Sequence, residues 1–84
     1  MHAPDISLVV PVRDEAGNIG PLAAEIRDQL DRAELSWELL FVDDGSTDAS
    51  WAEISTAAAE DGRVQGIRHD RGRGKSAALM AGFA

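Results

Sequence analysis

Compact apolar runs alternate along this chain with stretches whose apolar residues recur every three or four positions. Ile6-Ser7-Leu8-Val9-Val10 is β-branched and stops at Pro11, which predicts a first strand leading into a loop. Asn18 offers a helix cap, and Ile19, Leu22, Ile26 and Leu30 follow at helical spacing to about Arg32. Pro21 falls in the first turn, where its missing N–H costs nothing. Trp37 to Val42 predicts a second strand, apolar enough to be covered on both faces. Ser46, Thr47, Asp48 and Ser50 are candidate caps for a second helix carrying Trp51, Ile54 and Ala58, and Ser50 with Glu53 fits a capping box. Arg63 to Arg68 predicts a third strand. A glycine-rich basic turn then leads into a helix from Ser76 to Ala84.

This β-α-β-α-β-α order predicts an α/β fold, a parallel sheet with right-handed crossovers, amounting to roughly half of a doubly wound domain. An apolar helix with no cap at the chain end lacks a partner surface, so the sequence is expected to be a fragment. No internal repeat or low-complexity tract interrupts the three units.

Composition narrows the functional classes. Eighty-four residues, 44% of them hydrophobic, make one small domain or a piece of one. Fifteen acidic against eight basic residues, a net charge of -7, argue against nucleic acid or an anionic membrane held through overall charge. Without cysteine there is no disulfide and no thiolate metal site. The apolar runs are too short to span a bilayer, and the first residues do not resemble a signal peptide, so a cytoplasmic location is expected.

The chemistry concentrates where strands are expected to end. Ligands of open α/β sheets bind at the carboxyl edge of the strands. Leu39-Leu40-Phe41-Val42 delivers Asp43-Asp44-Gly45-Ser46 to that edge. Two adjacent acids on a strand point oppositely, so one faces a ligand while the other bonds to backbone amides, and Asp44 is taken as the ligand-facing one. Capping and turn formation account for part of Ser46, Thr47 and Asp48, but not for the acid pair. A calcium loop is excluded by Ser55 at its twelfth position. Pro11-Val12-Arg13-Asp14-Glu15 ends the first strand at the same edge and can aim Arg13 and Glu15 at a ligand, although alone it is an ordinary charged loop.

Gly72-Arg73-Gly74-Lys75-Ser76 imitates two phosphate motifs. A P-loop would need glycine where His69 stands, and a dinucleotide fingerprint, Gly72-x-Gly74-x-x-Ala77, sits after the wrong strand. Arg71, Arg73 and Lys75 before a helix could still meet a diphosphate, or simply be solvated. His2 and His69 form no metal pair, and Trp37 and Trp51 are expected to be packing residues.

Three blocks in order resemble the start of a family 2 glycosyltransferase of GT-A fold, a Rossmann-like architecture, closest to the polyprenyl- and dolichyl-phosphate sugar synthases. They are Pro11 to Glu15, Val42 to Ser46, and Gly74 to Gly82. The resemblance implies that residues 1–84 are the N-terminal nucleotide-sugar-binding part of one glycosyltransferase domain. It implies that Pro11, Arg13 and Glu15 frame the nucleotide, that Val42 and Asp44 line its base and ribose pocket, and that Lys75 sits near the diphosphate. Arg13 stands where the family commonly has tyrosine and Asp14 where it has asparagine. The reaction implied is transfer of a sugar, with inversion, from UDP- or GDP-sugar to an acceptor such as polyprenyl phosphate at the membrane surface. Mg2+ or Mn2+ would balance the leaving diphosphate. The family's metal-binding Asp-x-Asp and acceptor-side carboxylate are expected downstream, so no catalytic residue is assigned in this chain and the fragment is not expected to transfer sugar alone. Two other readings stand beside it: an NAD(P)-dependent oxidoreductase fragment and a noncatalytic nucleotide-binding module.

Overall fold

The computed structural model describes residues 3–70 and 75–80. Its elements run β1 (Ile6–Val12), α1 (Ile19–Arg32), β2 (Trp37–Asp43), α2 (Ser50–Glu60), β3 (Val64–Asp70) and β4 (Lys75–Met80). They form one sheet in the order β1-β2-β3-β4, with β1, β2 and β3 parallel and β4 antiparallel to β3. The α/β architecture with a parallel sheet interleaved with helices is the one expected.

Two right-handed crossovers stepping the same way across a sheet lay both helices on one face. Burial alternates accordingly. Val12, Trp37, Leu39, Phe41 and Val64 are buried with Ile19 of α1 and Ile54, Ala57 and Ala58 of α2. Phe41 is fully buried at the centre, worth roughly 1.5–3 kcal/mol in transfer terms. On the opposite face Val9 is 63% exposed, and Pro11 beside it is exposed too. Leu22, Ile26 and Leu30 pack their expected stripe against the core.

Helix α2 approaches β3 closely enough to require a glycine. A Cβ on Gly66 would lie 2.5 Å from Ile54 Cγ2 and 3.1 Å from the Trp51 ring.

Three local expectations are corrected. Pro11 does not end β1, which continues to Val12. The amide of Ile6 donates to Ser36 and the carbonyl of Val12 accepts from Asp44, so even-numbered residues bond towards β2 and odd-numbered ones point outward. Pro11 therefore lacks an N–H only on the side of β1 away from β2, where no described strand needs a donor. Asn18 occupies the cap position of α1, but its side chain makes no capping bond and donates instead to Glu15 Oε2 at 3.1 Å.

The third correction is the helix expected from Ser76: residues 75–80 form β4, paired from Gln65↔Met80 to Asp70↔Lys75. Alanine-rich helix propensity is a matter of tenths of a kcal/mol per residue, and a full ladder along β3 outweighs it. Lys75 accordingly begins a strand and not a helix, so no helix N-terminus accompanies it. Arg71, Arg73, both motif glycines, His2 and the final residues lie outside the described residues.

Candidate nucleotide site

The parallel strands bring their carboxyl ends together at one edge. Pro11 and Val42 are register partners, as are Val42 and Ile67, so the three residues cross β1, β2 and β3 in one row on the face away from the helices. The ladder continues one step past the strands through the Asp44 amide, which donates to Val12 at 3.0 Å. Four of the expected site residues, Pro11, Arg13, Glu15 and Asp44, are exposed around this edge, and Val42 is half-buried between them. Lys75 is in β4, next to Asp70 at the end of β3.

The acid pair divides as strand alternation requires. Asp43 is fully buried on the helix side, and its Oδ1 accepts from the Ser46 amide at 2.8 Å, which closes the turn around Gly45 at φ 77°. Its Oδ2 has no hydrogen-bond partner among the described residues. Asp44 is exposed, with its carboxylate oxygens open to solvent as acceptors.

The loop after β1 is built by side chains of the segment after β2. Amides of Asp14, Glu15, Ala16 and Gly17 donate in succession to Ser46 Oγ at 2.8 Å, Ser50 Oγ at 2.8 Å, Asp48 Oδ2 at 3.1 Å and the Glu53 carboxylate at 2.8 and 2.9 Å. The Thr47 amide returns a bond to Asp14 Oδ1 at 2.8 Å. Asp14 at φ 51° and Gly17 at φ 91° supply the left-handed turns that bend this backbone. The Ser50 hydroxyl and the Ala16 and Ser50 amides hold the Asp48 carboxyl below its ordinary range, the hydroxyl most strongly.

This arrangement replaces the expected capping box. Ala49 is the cap residue of α2, Asp48 accepts from the Ser50 amide at 2.9 Å, and Ser50 and Glu53 reach across to the other loop. Spacing had indicated local bonds for both side chains, and only the assembled sheet edge brings their partners within reach.

Sequence reasoning also passed over Arg68, the register partner of Asp43, whose guanidinium lies 5.9 Å from the centroid of Trp51. Alternation places it on the helix side of the edge. Trp51 is thus a packing residue that also carries a cation. Among the described residues no three His, Asp or Glu side chains converge to hold a metal ion.

Residues 7–84 match the family described as glycosyl transferase family 2. The chain belongs to this family. Among its relatives are the undecaprenyl-phosphate 4-deoxy-4-formamido-L-arabinose transferase of Aeromonas hydrophila, 35% identical over 79 residues, and the dodecaprenyl-phosphate galacturonate synthase of Rhizobium johnstonii, 34% identical over 80. These alignments take in 93% and 94% of the chain but 24% of either relative, so this family 2 chain spans about a quarter of their length. The resemblance drawn from Pro11 to Glu15, Val42 to Ser46 and Gly74 to Gly82 is therefore one of descent. Only its last block, where Lys75 to Met80 form a strand, departs from the expected element.

Proposed function

We propose that this chain is the N-terminal nucleotide-sugar-binding part of a glycosyltransferase that moves a sugar from a nucleoside diphosphate sugar to a polyprenyl phosphate. The observation that carries the reading is the split of the acid pair: Asp43 buried and bonded to its own turn, Asp44 exposed at the carboxyl edge beside Pro11, Val42 and Arg13. In this reading Asp44 accepts hydrogen bonds from the base or ribose, Pro11 and Val42 give the pocket an apolar floor, and Arg13 stacks on or bonds to the nucleotide where a tyrosine would stack. Glu15 lies on the same loop and accepts from Asn18, which orients it at the rim. Lys75 near the diphosphate enters through the family resemblance.

The acceptor class follows the names of the relatives, both polyprenyl-phosphate enzymes. A lipid phosphate is already a nucleophile, so its oxygen would attack the anomeric carbon while the nucleoside diphosphate departs, and positioning matters more than proton removal. The described residues do not fit a metal centre, and a divalent Mg2+ or Mn2+ would take its ligands from elsewhere in the protein. A cytoplasmic site facing a membrane surface is part of the same proposal; no described helix is long and apolar enough to cross a membrane.

The oxidoreductase alternative loses its footing. A dinucleotide pyrophosphate rests on free amides of the first strand–helix turn, and here four successive amides of that turn are engaged by side chains.

Titration of the full-length protein with UDP and GDP, followed by calorimetry, tests the reading. One of the two should bind, and Asp44→Ala should weaken it at least about tenfold without lowering the unfolding midpoint. Binding that is indifferent to Asp44→Ala would remove the site assignment.

A further inference from the structure

Successive backbone amides left free can bind an anion. In the loop of Asp14 to Gly17 all four are instead taken by side chains of this chain, two hydroxyls and two carboxylates, from Ser46, Ser50, Asp48 and Glu53. Ser50 is fully buried and Ser46 nearly so, so their hydroxyls are committed to the loop and not offered to a ligand. What the loop does offer is its exposed side chains, Arg13 ahead of the clamped run and Glu15 within it.

We propose that Ser46, Asp48, Ser50 and Glu53 are positioning residues for nucleotide recognition: they clamp the loop after β1 so that Arg13 and Glu15 face the same ligand as Asp44. The inference rests on the nucleotide reading above and adds a division of labour to it. The clamped loop serves the nucleoside end of the ligand, and its amides take no part in holding the diphosphate. A backbone run fixed at four points within one turn presents its side chains with little ordering cost on binding, whereas a released loop must be ordered by the ligand itself.

The decisive experiment is calorimetric titration of full-length protein with UDP, GDP and inorganic pyrophosphate, using wild type, Glu53→Ala, Glu53→Gln, Asp48→Ala and Asp44→Ala. Hydrogen exchange at the amides of residues 14–17 reports whether the clamp has opened. Glu53→Ala and Asp48→Ala should speed that exchange and weaken the preferred nucleotide roughly tenfold, with any pyrophosphate affinity unchanged. Glu53→Gln keeps an acceptor oxygen and should recover most of the affinity. Faster exchange with unaltered nucleotide affinity in both alanine variants would overturn the proposal and leave the clamp a purely structural device. Pyrophosphate bound more tightly by wild type than by Glu53→Ala would overturn the division of labour. If wild type binds neither UDP nor GDP, the nucleotide reading fails and the proposal with it. If Asp44→Ala abolishes binding while the clamp variants bind like wild type, the proposal alone fails.

Discussion

The guanidinium of Arg63 lies 4.1 Å from the centroid of the Trp37 ring, and both side chains donate to the same carboxylate, that of Asp31, at 2.7 and 2.9 Å. Arg63 also bonds to Asp61 at 2.9 Å. Trp37 opens β2 and Arg63 immediately precedes β3, so this cluster ties the amino ends of the strands together, at the opposite end of the sheet from the candidate site.

Arg63→Ala removes the stacking and two ion pairs from a side chain 40% exposed, at an expected cost of about 1–2 kcal/mol. Arg63→Lys should recover less than half of this, because an ammonium cannot bond to both carboxylates while lying flat on the indole. Denaturant unfolding followed by tryptophan fluorescence measures both. Nucleotide affinity should not change in either variant.

The same cluster sets an acid dependence. Hydrogen bonds from Arg63 hold the carboxyls of Asp31 and Asp61 below their ordinary value of 3.8, with Trp37 adding to the effect on Asp31. A carboxyl with a depressed folded pKa gives its full stabilisation above the unfolded value and loses it as pH falls through the folded one. Stability should therefore be flat on this account above about pH 5 and decline below about pH 4. Arg63→Ala should make that decline shallower, read as the unfolding midpoint against pH.

Gly66→Ala puts a methyl group into Ile54 and Trp51, and both neighbours are packed between α2 and the sheet. Overpacking of this kind costs about 1–3 kcal/mol. Ile54→Leu moves the branch off Cβ, and combining it with Gly66→Ala should cost less than the sum of the two changes. A double-mutant cycle on the unfolding midpoint gives the coupling directly.

The two neighbouring acids should fail in opposite ways. Asp43→Ala strips the Ser46 amide of its fully buried acceptor, worth about 1–3 kcal/mol of stability, and Asp43→Asn keeps that acceptor and should be milder. Asp44→Ala at its exposed position should leave stability within about 0.5 kcal/mol and act on nucleotide affinity alone. Melting curves and titrations on the same preparations separate the two effects.

These contrasts reflect what could be read from the order of residues. The division between Asp43 and Asp44 was legible because strand alternation is a local rule, and so was the stripe Ile19, Leu22, Ile26, Leu30. Ser50 and Glu53 were misread for the complementary reason. Their spacing satisfies a local capping rule, but their partners lie 35 and 36 residues away and come within reach only when β1 and β2 pair. Residues 75–80 carry a helix-forming composition that pairing with β3 overrides, and the bonds that decide the matter belong to β3, not to the segment itself. Pro11 misled in the same way, since its effect depends on which side of the strand its nitrogen faces.

Along the side of β1 that borders the described sheet, the residues whose backbone groups face away from β2 are Ser7, Val9 and Pro11, so the row of donors on this rim stops before the carboxyl edge. The amides of Ser7 and Val9 and the carbonyls of all three residues face this side, so the rim keeps its acceptors to the end but loses its donor at Pro11. Any strand that pairs with this rim, from elsewhere in the protein or from another molecule, therefore meets its last backbone donor at Val9 and only a carbonyl at Pro11, so lateral hydrogen bonding is one donor short where the candidate site begins.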